Sequence, residues 1–147
     1  MTALRNVAGY TLGELITVIA LSAVVAATAV PIASAILKHQ QLTTTTRRLA
    51  FEISRARMEA IGQNAFVRIT LVGTDHYIRE RSTDGVTYAQ VDSPISLPSG
   101  FTVLATDGAT PRFDRQGLAP ASTRLTVRGP YGERTVYTNV LGRVTTS

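Results

Sequence analysis

The chain has 147 residues, with 15 Lys or Arg against 10 Asp or Glu and no cysteine. A chain of this length builds one core of ordinary size, so a large barrel enzyme and a multidomain machine are excluded. Without cysteine there is no disulfide framework, thiolate zinc site or cysteine nucleophile, while the net charge of +5 fits either an Arg-rich soluble surface or a surface for phosphate or acidic partners.

The first predicted element is an uncharged apolar helix. The 23 residues from Leu15 to Leu37 contain no charged side chain. As a helix they would be about 34 Å long, slightly more than a hydrocarbon core of roughly 30 Å. Pro31 lies inside this stretch and predicts a kink or local melting, because proline removes one backbone hydrogen bond. The segment therefore predicts a membrane-spanning helix.

A cleavable secretory signal is the alternative interpretation of the same segment. Ala33-Ser34-Ala35 has the small-x-small form of a signal peptidase site, and cleavage there would leave a soluble domain beginning at Ile36. Against this, the apolar stretch is longer than a typical signal core of about 7–15 residues. In the chain before the apolar stretch, the only basic groups are Arg5 and the amino terminus. Basic residues on both sides leave the orientation open.

A short motif stands immediately before the apolar stretch: Gly9-Tyr10-Thr11-Leu12-Gly13-Glu14. Together with Pro31, this motif resembles the class III leader of type IV pilins and of the pseudopilins of type II secretion. The resemblance implies that a prepilin peptidase removes a leader, residues 1–9, by cutting between Gly9 and Tyr10, and that Tyr10 is then N-methylated. It also implies that residues 10–37 form a transmembrane and assembly helix, which includes Pro31. The protein would be single-pass in the inner membrane, with its C-terminal domain outside the cytoplasm, before it enters a periplasmic or surface filament.

Glu14 is the one charged residue at the start of the apolar helix. An ionised carboxylate at the edge of hydrocarbon costs a few kcal/mol unless a partner is supplied. The resemblance implies that Glu14 pairs with the charged amino terminus of a neighbouring subunit during assembly. In an unassembled monomer, the simpler alternative is that the carboxylate reaches the lipid headgroups.

The helical pattern continues over residues 38–62. One apolar stripe is formed by Leu42, Leu49, Ile53, Ala56 and Ala60, at the spacing of an amphipathic helix. On the polar side, Glu52 and Glu59 stand at helical spacing from Arg48 and Arg55, which predicts a solvated face. Gly62 and Asn64 are predicted to end the helix.

Residues 63–147 show alternation and turn signals typical of strands. The predicted strands cover residues 66–71, 76–81, 86–91, 101–105, 112–114, 124–128 and 133–139. Pro94 and Pro98 predict a loop in the middle, and Gly129-Pro130-Tyr131-Gly132 predicts a turn between the last two strands. The first strands are predicted to form a meander.

Three further traces resemble the GspH/FimT family of minor pseudopilins and minor pilins. They are Ala56-Arg57-Met58-Glu59-Ala60-Ile61, Phe113-Asp114-Arg115-Gln116-Gly117 and Gly142-Arg143-Val144. The resemblance implies an α+β fold in which a long N-terminal helix, half transmembrane and half amphipathic, packs on a C-terminal antiparallel β-rich domain. The soluble domain would cover residues 38–147. The implied function is a minor pseudopilin of a type II secretion pseudopilus or a related filament, whose partners are other pilins or pseudopilins.

No pattern in the chain indicates catalysis. There is no His pair at helical metal spacing, no nucleophile elbow and no phosphate-binding loop. We therefore predict no enzymatic activity, catalytic residue, metal site or cofactor.

DNA binding is the alternative function, and it starts from the basic C-terminal part. Some FimT-type minor pilins are associated with DNA capture through a Gly-Arg-x-Arg motif, of which Gly142 and Arg143 are present while Thr145 replaces the second arginine. Arg124, Arg128 and Arg134 would compensate if strand pairing gathered them on one face. DNA is the less favoured of the two kinds of partner.

Overall fold

The computed structural model describes residues 11–147, and for residues 28–36 and 38 it describes the backbone only. The predicted leader, Gly9 and Tyr10 lie outside the described residues. The chain divides into two compact units, with the boundary between Leu37 and Lys38.

A single helix, α1 (Leu12–Gly62), begins in the first unit and ends in the second. Its backbone passes through Pro31 without a break in helical structure. It ends where predicted, since Gly62 is its last residue and Asn64 adopts a positive φ of 51°, a conformation that terminates helices. Over the described part of the chain, no helix has the combination of length and hydropathy needed to cross a bilayer.

The predicted apolar stripe of α1 forms one side of the core of the second unit. Its five members are at most 2% exposed: Leu42, Leu49, Ile53, Ala56 and Ala60. Spacings of three, four and seven residues place them on one helix face, so this part of the prediction is confirmed.

The first antiparallel sheet has the order β3-β2-β1-β6, with β4 also paired to β2. Its strands are β1 (Phe66–Val72), β2 (His76–Ser82), β3 (Ala89–Gln90), β4 (Ile95–Ser96) and β6 (Arg112–Phe113). The predicted turn Gly73-Thr74-Asp75 joins β1 to β2. Gly73 has a φ of 71°, which glycine adopts more readily than other residues.

The second antiparallel sheet has the order β5-β7-β8-β9. Its strands are β5 (Thr102–Ala105), β7 (Thr123–Gly129), β8 (Gly132–Thr138) and β9 (Val144–Thr146). Gly129 pairs with Gly132, so Pro130 and Tyr131 form a two-residue hairpin loop, as predicted. Although β5 precedes β6 in the chain, the two strands belong to different sheets. The backbone N–H of Val103 in β5 donates to the carbonyl of Thr74 in the β1–β2 turn, at 2.7 Å.

One apolar cluster unites α1 with both sheets. The first sheet contributes Val67, Ile69, Tyr77 and Phe113, and the second contributes Val103, Leu125, Val127 and Val136. Burying one side chain of the size of Leu or Phe stabilises the fold by about 1.5–3 kcal/mol. The predicted α+β architecture, with the helix packed on antiparallel sheets, is confirmed for the second unit.

The strand predictions are wrong in three regions. Only Ala89–Gln90 of the predicted strand 86–91 is a strand, because the Asp84 carboxylate accepts the backbone N–H groups of Val86 and Thr87 and holds them in a turn. In addition, β4 lies in the predicted Pro94–Pro98 loop, and β9 was not predicted. Both are short edge strands whose pairing comes from β2 and β8.

The buried Tyr77 allows the packing of the core to be tested through the pH dependence of stability. Burial, together with the charge of Glu52, raises the pKa of Tyr77 to about 12, from about 10 in an unfolded chain. The free energy of unfolding therefore keeps the full contribution of the protonated Tyr77 below about pH 10. As the pH rises from about 10 to 12, the free energy of unfolding falls by up to about 2–3 kcal/mol. We expect urea unfolding to show this decline for the parent and a flatter profile for Tyr77→Phe, whereas the exposed Tyr137→Phe should match the parent. Identical profiles for all three proteins would contradict the assignment.

Candidate assembly surface and basic residues

The first turns of α1 carry an apolar surface on every side of the helix. The side chains that are 55–75% exposed include Leu12, Leu15, Ile16, Val18, Ile19, Leu21, Val24 and Val25. Soluble proteins rarely leave so large a contiguous apolar surface open to water, and such surfaces mark sites of contact with other proteins or lipid. The polar side chains Thr17 and Ser22 donate their hydroxyls to the carbonyls of Gly13 and Val18, so they add no free polar group to it.

Glu14 lies at the start of this surface and is bound by Thr11. The Thr11 backbone N–H and hydroxyl both donate to Glu14 Oε2, at 2.8 and 3.0 Å, and the Glu14 backbone N–H lies 3.3 Å from Thr11 Oγ1. This reciprocal arrangement is a capping box, which satisfies helix N-terminal donors. The Thr-x-x-Glu spacing is visible in the sequence and is a signal for the start of a helix.

The predicted leader-cleavage residues, Gly9 and Tyr10, lie outside the described residues, and the other predicted assembly residue is Pro31. Pro31 lies inside α1, where only its backbone is described. The predicted roles of these three residues stay predictions.

A buried charge cluster lies between α1 and β2, centred on Arg79. The Arg79 side chain is 4% exposed and forms ion pairs with Glu52 at 3.2 Å and Glu59 at 3.0 Å, both of them 11% exposed, as well as with Asp92. The prediction that Glu52 and Glu59 lie on a solvated helix face is therefore wrong. Their partner, Arg79, lies on strand β2, so the helical spacing of α1 alone does not reveal the pairing.

The arginines predicted to bind DNA are not gathered on one face. Arg124 and Arg128 lie on the exposed side of β7, whereas Arg134 pairs across the strands with the buried Val127. Directly opposed residues point to the same side of a sheet, so Arg134 belongs to the opposite face. Arg128 also forms a 3.1 Å ion pair with Glu133.

The Gly142-Arg143 pair lies at a packing junction with Arg57 of α1. Arg57 Nε donates to the carbonyl of Gly117 at 2.9 Å. A Cβ added to Gly142 would come within 2.3 Å of that carbonyl oxygen and 2.5 Å of Arg57 Nε. The three traces of the GspH/FimT resemblance therefore meet in space, and Gly142 has a structural role there. This role of Arg57 could not be predicted from local patterns, because Gly117 lies 60 residues away in the chain.

The part of the chain that the structure describes brings no three acidic or histidine side chains together at a metal-binding spacing.

No family model matches the sequence, and no curated protein matches it. Two crystal structures of the type IV minor pilin FimU from Pseudomonas aeruginosa are similar in structure. The first, in space group P21, is 14% identical, with a TM-score of 0.63 over 76% of this chain and 92% of the FimU chain. The second, in space group P65, is 16% identical, with a TM-score of 0.59 over 72% of this chain and 92% of the other. This chain therefore has the fold of the type IV minor pilins.

Proposed function

We propose that this protein is a structural subunit of a type IV pilus-like filament and has no enzymatic activity. The observation that carries the proposal is the exposed apolar surface of α1 on a chain whose folded unit has the minor-pilin fold. Packing this surface against the corresponding helices of neighbouring subunits would remove it from water. Because the similar solved proteins are type IV minor pilins, we favour a type IV pilus over a type II secretion pseudopilus, which stays the alternative machine.

We further propose that residues 10–37 hold the subunit in the inner membrane before assembly. The support is the uncharged 23-residue stretch in the sequence and the preceding leader motif.

The first test concerns Glu14. Glu14→Gln keeps a side-chain oxygen that accepts the Thr11 bonds but removes the charge, so pairing with a neighbour's amino terminus is lost. We expect recovery in sheared filaments to fall by about tenfold or more, with the membrane-bound pool unchanged. The control is Thr17→Val, which removes one hydroxyl from the same helix without changing its charge. Equal recovery of Glu14→Gln and the parent by quantitative immunoblot would show that the pairing has no role.

The second test concerns processing. We expect the native protein to begin at N-methylated Tyr10 and Gly9→Leu to keep all nine leader residues, as measured by mass spectrometry of the purified amino terminus. Gly13→Ala is the matched control, because a Cβ at Gly13 has nothing within 4 Å. A start at Ile36 would establish a cleavable signal peptide instead.

DNA binding stays the alternative function, but no contact among the described residues 11–147 favours it. Arg128 is paired with Glu133, Arg134 lies on the other face, and Gly142 is explained by packing. We expect weak binding of the full chain to duplex DNA that disappears near physiological salt, as measured by fluorescence anisotropy.

A further inference from the structure

A groove on the second unit lies near the C-terminal end of α1, and we name it the Phe66 groove. It has a volume of about 410 Å³ and is lined by Phe66, Arg112, Asp114, Leu118, Ala119 and Pro120. Its walls are largely apolar, and they come from the start of β1, from β6 and from the loop that follows β6. None of these residues belongs to the apolar surface of the first turns of α1.

One guanidinium group, that of Arg112, lines this groove, and a second, that of Arg115, lies over the ring of the lining residue Phe66. Arg115 stacks over the Phe66 ring, 5.2 Å from its centroid, and Arg112 lies 5.6 Å from the Tyr88 ring centroid. Each donates one N–H to a loop carbonyl, Arg112 to Gly85 at 3.1 Å and Arg115 to Thr83 at 2.5 Å. These contacts hold both side chains in place and leave most of their donors available.

The carboxylates of this region make other contacts, although Asp114 is itself part of the groove wall. Asp114 Oδ1 accepts the backbone N–H groups of Gln116 and Leu118, and Asp84 Oδ1 accepts those of Val86 and Thr87. Glu80 pairs with Arg68 at 2.7 Å. Among the ion pairs formed within residues 11–147, none involves Arg112 or Arg115.

Exposed apolar side chains extend the groove. Leu118 forms part of its wall, and the Ala119 N–H donates to the carbonyl of Val140 at 3.0 Å, which brings exposed Val140 and Leu141 alongside. On the loop held by the two arginines, Val86 is 82% exposed. The groove therefore offers pre-positioned cations beside apolar surface, a combination that suits a protein partner.

We infer that the Phe66 groove binds an acidic segment with apolar side chains from a different subunit of the filament. Arg112 and Arg115 each present paired N–H donors that match a carboxylate, and Leu118 supplies the apolar contact. A second copy of this chain is a poor occupant of the groove. Each copy has a net charge of +5, so two copies repel each other. The inference rests on the proposed function, since it requires neighbouring subunits.

The test uses the full chain in the cells that assemble the filament. A photoreactive phenylalanine analogue replaces Leu118, and mass spectrometry identifies the crosslinked peptide. We expect a peptide containing Asp or Glu from another filament subunit. The double variant Arg112→Ala/Arg115→Ala should reduce the crosslink about tenfold, while Arg124→Ala, an exposed arginine on the other sheet, should not. Reversing the charge of the identified acidic residue to Arg should restore the crosslink to Arg112→Glu.

The outcomes separate the inference from the proposed function. Absence of the parent chain from sheared filaments overturns the proposed function. If the chain is in filaments but Leu118 crosslinks to a second copy, to nucleic acid or to nothing, the inference is overturned alone. An equal crosslink in the double variant, shown by thermal unfolding to be folded, overturns the charge recognition.

Discussion

Arg79→Met is expected to lower the free energy of unfolding by about 3 kcal/mol, because it removes the central cation of a buried ion cluster. Glu52 and Glu59 are both 11% exposed and both form ion pairs with Arg79. Without Arg79, their remaining cations are Arg55, at 4.0 Å from Glu52, and Arg81, at 3.7 Å from Glu59. Methionine keeps an unbranched apolar stem but brings no charge to these carboxylates. The measurement is urea unfolding of the detergent-solubilised chain, followed by circular dichroism.

The matched control is Arg128→Met. Arg128 also pairs with a glutamate, but both side chains are more than half exposed, so its loss should cost less than about 1 kcal/mol. Adding Glu59→Gln to Arg79→Met should recover part of the stability, since one buried charge is removed. An Arg79→Met effect as small as that of Arg128→Met would show that the cluster does not stabilise the fold.

Gly142→Ala is the second substitution with a large expected effect. The new Cβ would lie 2.3 Å from the Gly117 carbonyl oxygen, and the backbone φ of 73° is itself unfavourable for alanine. Strain and overpacking together are expected to cost about 3 kcal/mol or more. The same urea experiment measures it.

Gly108→Ala separates the two contributions. Gly108 has a similar φ of 68°, but a Cβ there meets nothing within 4 Å, so only the backbone cost of about 1 kcal/mol should remain. Arg143→Ala removes an exposed side chain and should leave stability unchanged. Equal effects of Gly142→Ala and Gly108→Ala would contradict the packing role of the junction.

Much of the fold could be predicted because it follows from local patterns. The buried stripe of α1, its end near Gly62 and the β7–β8 hairpin all depend on residues close together in the chain. The short strand β4 could not be predicted, because two residues beside prolines become a strand only when β2 supplies the pairing.

Contacts between residues far apart in the chain account for the errors at the candidate sites. Glu52 has the sequence surroundings of a solvated helix residue, and only the position of Arg79, 27 residues later, makes it a buried one. The placement of Arg134 opposite Val127 depends on the strand register. A shift of the register by one residue would move Arg134 to the other face of the sheet. By contrast, the Thr11 and Glu14 contact spans three residues, so a local search for capping signals finds it.

The order of β5 and β6 in the chain affects the folding of the domain during synthesis, because β5 belongs to the second sheet and the following strand, β6, belongs to the first. The first sheet is incomplete until β6 has been synthesised, and β5 still lacks a partner at that point, because its partner β7 follows β6 in the chain. A chain truncated before Pro111 leaves one edge of β1 open to intermolecular pairing. We expect the second unit to melt in one cooperative transition, and nascent chains to need protection from aggregation until residue 113 and the later strands have emerged.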